Sequence, residues 1–164
     1  MVPVPTLDAV AAVRMNNKIG AASETINTST LSGRDCTVVW MDGQRGHVFA
    51  GLYVAGAFDC GLLRPKCIAG PQVGDPVDVL ETMITFLADY GDGLSVDVVG
   101  TAVARDKALL EQRLADVSAG LSVVTGESAL APVMGRLVAA HQYEGVSPDE
   151  LPPPDGRPPG GALG

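Results

Sequence analysis

Residues 47–54 restrict the possible folds of this chain more than any other segment, because both sets of alternating side chains are apolar. The even-numbered positions are all aliphatic, and the odd-numbered positions include Phe49 and Tyr53. Successive side chains of a strand point to opposite faces of the sheet. A strand that is apolar on both faces is typical of a sheet covered on both sides. We therefore expect this strand to lie in the interior of a covered sheet.

Three further segments have strand patterns. Residues 37–41 are β-branched and aromatic, and the glycine-containing loop 42–46 is suited to a hairpin. Residues 61–69 contain two apolar runs separated by Pro65, which is typical of an edge strand or a bend. Residues 95–103 contain valines at strand spacing. A further short strand near residue 121 is an open alternative.

Apolar residues recur at helical spacing in four other segments. These predicted helices lie near residues 7–27, 75–90, 106–119 and 128–142. The second begins with Asp75 as N-cap and Pro76 at the first helical position. Strands cluster first and then alternate with helices. This order predicts an α+β, two-layer domain with a mixed or antiparallel sheet packed by helices.

The last eighteen residues differ in composition from the rest of the chain. Residues 147–164 are rich in proline, glycine and charge, and they carry too little apolar surface to offset the entropy lost on ordering. We expect a single globular domain over residues 1–146 and a disordered or extended tail after it. An extended tail of this kind could also lie as an arm across a neighbouring subunit.

The charge balance excludes some classes of partner. Acidic residues number 19 and basic residues 11, giving a net charge of −8. This argues against sequence-independent nucleic-acid binding and against attraction to anionic membranes. The N-terminus lacks the pattern of a secretory signal peptide, and no apolar run is long enough to span a bilayer. We expect a cytoplasmic protein, or part of a particle assembled there, with reduced cysteines.

All three cysteines and four of the seven aromatic residues lie between Cys36 and Cys67. Cys36, His47, Cys60 and Cys67 could in principle supply three thiolates and an imidazole to a metal ion. Six residues separate Cys60 from Cys67, whereas zinc motifs have about two to four between paired ligands. We expect buried structural thiols, with no metal and no cofactor, and keep the metal site as an alternative.

Nucleophilic chemistry has weak support in this sequence. Arg64 and Lys66 precede Cys67 and would favour its thiolate, whereas Asp59 beside Cys60 would oppose it. Ser128 lies in a segment similar to part of the G-x-S-x-G elbow of hydrolases, but the second glycine is missing, so we interpret Ser128 as a helix cap.

Three aspartates, at positions 89, 92 and 97, do not have the spacing that a calcium-binding loop requires. We interpret Asp89, Asp92 and Asp97 as solvated carboxylates of turns.

The four aromatic residues of this region have two interpretations. Trp40, Phe49, Tyr53 and Phe58 could form an exposed patch for a protein partner, and we take them as interface candidates. They could equally be the bulky members of a core built from small aliphatic residues.

No set of residues in the sequence converges on a reaction. We therefore expect a non-catalytic structural or assembly protein that oligomerises or docks into a larger complex through protein contacts. The order of elements is compatible with the small adaptor and terminator proteins of bacteriophage particles, an analogy of architecture without a motif. The alternatives are a small thiol- or metal-dependent enzyme using the Cys36–Cys67 region and a small-molecule binding domain.

Overall fold

A five-stranded mixed sheet forms the centre of the computed structural model, which describes residues 6–22, 34–59 and 62–125, with the backbone alone at 19–22, 58, 59 and 62. The strands are β1 (Asp35–Asp42), β2 (Val48–Asp59), β3 (Leu62–Gly74), β4 (Leu94–Val99) and β5 (Ser118–Val124). Their spatial order is β3-β2-β1-β4-β5. β2 is antiparallel to both β1 and β3, whereas β4 is parallel to β1 and to β5.

Within the described ranges, three α-helices pack on this sheet: α1 (Thr6–Ala22), α2 (Pro76–Tyr90) and α3 (Val103–Leu114). The predicted α+β arrangement is confirmed, with the sheet and the α2/α3 layer forming its two main layers. The predicted helix near 128–142 and the predicted tail at 147–164 lie outside the described residues, as does the end of the first predicted helix after residue 22.

α2 forms where local signals predict it. The Asp75 side chain accepts a hydrogen bond from the Val77 backbone N–H at 2.9 Å, and Pro76 occupies the first turn. Leu80, Met83 and Leu87 are buried against the sheet, and the chain leaves the helix at glycine 91.

Several boundaries differ from the prediction. β4 ends at Val99, because Gly100 adopts a φ of +144° and turns the chain into α3. The predicted strand 95–103 is therefore too long, and α3 begins earlier than residue 106. β3 continues past residue 69 to Gly74 through a cis Gly70–Pro71 bond.

The larger hydrophobic core lies between the sheet and the α2/α3 layer. Its buried sheet residues include Val38, Trp40, Leu52 and Val98, each 0% exposed. Leu110 of α3 packs into the same cluster.

α1 covers part of the opposite face. Ala11 and Met15 pack there against Val39, Tyr53 and Val99. β2 therefore has buried side chains on both faces, as the two-sided apolar pattern of residues 47–54 indicates. The two faces differ in chemistry, and this difference positions the candidate site.

Candidate functional site

Two of the four aromatic interface candidates are buried in the core. Trp40 is 0% exposed, and its indole Nε1 donates a hydrogen bond to Asp106 Oδ2 at 2.8 Å. Tyr53 is 2% exposed, and its hydroxyl donates to Asp8 Oδ1 at 2.8 Å. Each ring thus contributes bulk to the core while its polar atom is satisfied. Neither ring is available to a partner on the surface of the folded chain.

Among the three candidates whose side chains the structure describes, Phe49 lies at the surface. It is 41% exposed and pairs directly with Val73 of β3, which is 56% exposed. Directly opposed residues on neighbouring strands have Cβ atoms about 5 Å apart, so the two side chains form one exposed apolar pair on the α1 face of the sheet. We call it the Phe49–Val73 pair. Phe58 pairs with Leu63 through its backbone, and its side chain lies outside the described structure.

α2 carries three more exposed apolar side chains, Val77, Phe86 and Tyr90. Phe86 and Tyr90 are 39% and 43% exposed and lie one turn apart, so they are neighbours on the helix surface. Sequence reasoning did not identify them as surface residues. A helical projection of α2 places them beside the buried stripe of Leu80, Met83 and Leu87 rather than within it.

The sheet separates the described members of the candidate metal set. Cys36 pairs with Val54 and Cys67 pairs with Tyr53, and these two consecutive β2 residues point to opposite faces. His47 follows the short 3₁₀ turn at the other end of β1 from Cys36. In the described ranges, no three His, Cys, Asp or Glu side chains are grouped so that they could hold a metal ion.

Neither described thiol is activated. Burial raises the pKa of Cys36 to about 11. Burial, and then the negative charge of Asp8, raise the pKa of Cys67 above its usual value, although its side chain is exposed. Lys66 pairs with Val54 and so points to the opposite face from Cys67. The cation adjacent in sequence therefore does not support a thiolate, contrary to the interpretation from sequence order. Cys60 lies outside the described residues.

A row of polar side chains crosses all five strands on the α1 face. Direct register pairs connect its members across the sheet. In spatial order they are Cys67, Tyr53, Thr37, Asp97 and Ser122. On the opposite face, the register pairs of the central strands join apolar residues of the larger core. We call this feature the polar row.

Basic residues of α1 neutralise the acid at the centre of the polar row. Asp97 is 4% exposed; its Oδ1 lies 3.2 Å from Arg14 Nη2 and its Oδ2 lies 3.4 Å from Lys18 Nζ. Lys18 also contacts Asp35 at 2.9 Å. Partial burial lowers the pKa of Lys18, but the hydrogen bond to Asp35 and the charge of Asp97 outweigh it and raise that pKa. The interpretation of Asp97 as a solvated turn carboxylate is wrong, because it lies within β4 beneath a helix.

Asn16 attaches the same helix to β3. Its amide Nδ2 donates to the Leu63 carbonyl at 3.0 Å, and its Oδ1 accepts from the Leu63 N–H at 2.9 Å. Together with the ion pairs, this two-point contact adds polar attachments to the apolar packing of Ala11 and Met15 against the sheet. The acids and bases of this network are therefore occupied in holding the fold.

A second polar cluster lies at the carboxyl end of β1. Arg105 binds both oxygens of Asp106, each at 2.7 Å, and reaches Asp42 Oδ1 at 2.7 Å. Hydrogen bonds from Arg105 and Trp40 outweigh partial burial and lower the pKa of Asp106. Carboxyl ends of parallel strands are common ligand positions. Here one guanidinium binds both carboxylates, so the cluster joins β1 to α3.

The two edge strands of the sheet differ in their protection. β3 contains Pro65 and Pro71, which cannot donate backbone hydrogen bonds, and its pairing with β2 has three register shifts. β5 (Ser118–Val124) has the sequence SAGLSVV, without proline and without charge. Proline, charge and bulges are the usual devices that keep an edge from pairing with another chain. β5 has neither proline nor charge, and its pairing with β4 has a single register shift, at its first residues, after which Gly120–Val124 pair without interruption.

No protein-family model matches the chain, and no curated protein matches it. Within the ranges that the structure describes, no helix combines the length and apolarity that crossing a membrane requires.

Proposed function

We propose that this protein is a non-catalytic structural or assembly protein that self-associates or docks into a larger complex, in the cytoplasm or in a particle assembled there. The observation that carries the proposal is the Phe49–Val73 pair, in which two large apolar side chains on neighbouring strands are about half exposed. Exposed apolar patches are common at protein interaction sites, where aromatic residues are enriched.

The buried polar groups also support this proposal, because they are engaged in contacts within the fold. Asp97 and Lys18 are engaged in ion pairs that hold α1 to the sheet, and Asp106 binds Arg105 of its own helix and accepts a hydrogen bond from Trp40 of β1. The pKa of each described thiol is raised, which disfavours the nucleophilic thiolate. These groups of the described residues are thus occupied within the fold, while the surface offers groups suited to binding.

The net charge of −8 favours a protein partner over a nucleic acid or an anionic membrane. A docking partner would present an apolar patch, with basic residues around it to match this charge.

Native mass spectrometry and light scattering over a range of protein concentrations test the proposal. We expect an oligomer, or a complex with a protein partner recovered from the native source. The double variant Phe49→Ser/Val73→Ser should weaken docking through this pair by about tenfold or more, the loss expected when about 1.4 kcal/mol of contact free energy is removed. Folding stability should change little, because both side chains are exposed.

The matched control is Val77→Ser, which removes a side chain of similar exposure (42%) from α2. It should leave association close to that of the natural protein. A monomer at every concentration with no recovered partner would contradict the proposal. Equal binding of the recovered partner by the double variant and the natural chain would also contradict it.

A further inference from the structure

β5 has an available outer edge in the described part of the chain. It pairs with β4 on its inner side and is the last of the five strands in the sheet. The backbone groups along such an edge form a template for another strand. No residue of Ser118–Val124 carries a charge that would repel an identical strand.

The opposite edge cannot extend in the same way. Pro65 and Pro71 interrupt the donors of β3, and the register shifts bend it. A molecule with one open edge and one protected edge forms a closed pair rather than an open fibre.

We propose that β5 pairs antiparallel with β5 of a second copy of this chain, joining two five-stranded sheets about a two-fold axis. This inference rests on the proposed function and adds a second contact surface, through which two copies of the chain join. A two-fold axis perpendicular to the sheet leaves the α2/α3 layers of both copies on the same side of the joined sheet. Leu121 lies at the middle of β5, and with Val123 it packs against the α2/α3 core. Pairing about Leu121 would therefore continue that apolar face from one copy into the other.

The charges on α3 complement this arrangement. Arg113 contacts Glu81 of α2 at 2.8 Å, which identifies the side of α3 that faces α2. At about 100° per residue, Lys107 and Glu111 lie roughly on the other side, toward the β5 edge. They contact each other at 3.7 Å and are exposed. In an antiparallel pair, Lys107 of one copy would approach Glu111 of the other. The charges on this side of α3 are therefore complementary between the two copies.

Charge variants of α3 test the arrangement by dissociation constants from sedimentation or light scattering. Lys107→Glu makes both flanks acidic and should raise the dissociation constant of the dimer by about tenfold. The double variant Lys107→Glu/Glu111→Lys restores opposite charges and should return it to within about threefold of the natural value. Failure of the single variant to weaken the dimer, or of the double variant to restore it, would overturn the arrangement.

Gly120→Glu tests the strand edge itself. A Cβ at position 120 would lie 3.6 Å from Ser95 Oγ, an ordinary contact, so the folded chain accepts the substitution. The added charge should weaken the dimer by about tenfold or more. Gln44→Glu adds the same charge at an exposed turn and should have no effect. A Gly120→Glu dimer as tight as the natural one would overturn the inference.

Hydrogen exchange at high and low protein concentration identifies what covers β5. The outer amides of residues 118–124 should exchange more slowly at the higher concentration. Equal exchange at both concentrations would overturn the inference, because protection of the strand would then not depend on a second copy.

The inference and the proposed function fail separately. If the β5 variants stay dimeric while Phe49→Ser/Val73→Ser does not, self-pairing through β5 is wrong and the assembly role stands. If the natural chain is monomeric throughout and no partner is recovered, both are wrong.

Discussion

Replacing Asp97 by asparagine should loosen α1 from the sheet while leaving the α2/α3 core in place. The substitution keeps the size of the side chain and removes the charge that faces Arg14 and Lys18. Removing one partner of a fully buried ion pair costs about 3–5 kcal/mol. The Arg14 and Lys18 side chains are 27% and 34% exposed, so both can regain water, and Lys18 keeps Asp35 at 2.9 Å. We therefore expect a loss of about 2 kcal/mol in the free energy of unfolding.

Asp35→Asn is the matched control. Asp35 lies on the same face of the sheet, and among the ion pairs described its carboxylate contacts only Lys18. Its side chain is 18% exposed, against 5% for Asp97. A more solvated pair contributes less, so the expected loss is about 0.5–1 kcal/mol.

Urea unfolding followed by two signals makes the test specific to α1. Trp40 is the single tryptophan, and it is buried in the core on the α2/α3 side, so its fluorescence reports that core. Far-ultraviolet circular dichroism reports all helices. In Asp97→Asn, helix signal should be lost at a lower urea concentration than the fluorescence change. A loss below about 0.5 kcal/mol for Asp97→Asn, or an equal loss for Asp35→Asn, would refute the reasoning.

Three further predictions concern the β1–α3 junction and the thiols. A Cβ on Gly100 would overlap the Trp40 carbonyl oxygen, so Gly100→Ala should lower the free energy of unfolding by about 3 kcal/mol in a thermal melt. Gly46→Ala is strained only by its φ of +80° and should lower it by about 1 kcal/mol. Equal losses in the two variants would contradict this. Because the pKa of Asp106 is lowered in the folded state, its charge stabilises the fold above pH 3.8, the ordinary pKa of the group, and this stability is lost as the pH falls through the folded pKa. Asp106→Asn should reduce the loss of stability at acid pH in a fluorescence titration. An unchanged profile would count against the ion pair. With its pKa raised to about 11, Cys36 should remain unalkylated at neutral pH until the chain unfolds, as peptide mass spectrometry would show.

Local signals in the sequence predicted the elements whose causes are local. α2 begins at the predicted cap because Asp75 and Pro76 act within one turn. The β1–β2 hairpin follows from two strand patterns separated by a short glycine-containing loop. The boundary of β4 was misplaced, because the turn at Gly100 depends on close contact with Trp40, a residue 60 positions earlier in the chain.

The polar row could not be predicted, because it depends on the register of all five strands at once. Asp97 meets Arg14 across 83 positions of sequence, and no local pattern indicates that contact. The density of cysteines and aromatics between Cys36 and Cys67 also misled, because alternation along strands sends neighbouring side chains to opposite faces. Packing decides that Phe49 is exposed and Tyr53 is buried, because α1 covers Tyr53 and does not cover Phe49.

The two proposed association surfaces lie on opposite sides of the sheet's width. Phe49 and Val73 belong to β2 and β3, at the protected side, and β5 lies at the other edge. At about 4.8 Å between strands, β3 and β5 are separated by roughly 19 Å, so one contact does not obstruct the other. A dimer formed through β5 would carry two copies of the Phe49–Val73 pair, one at each far end of a ten-stranded sheet. Binding of the second end to a repetitive partner would then be intramolecular and strengthened by effective concentration. A chain with these two surfaces can therefore bridge two sites of a larger assembly with weak individual contacts, and Gly120→Glu should abolish this bridging while leaving single-site docking intact.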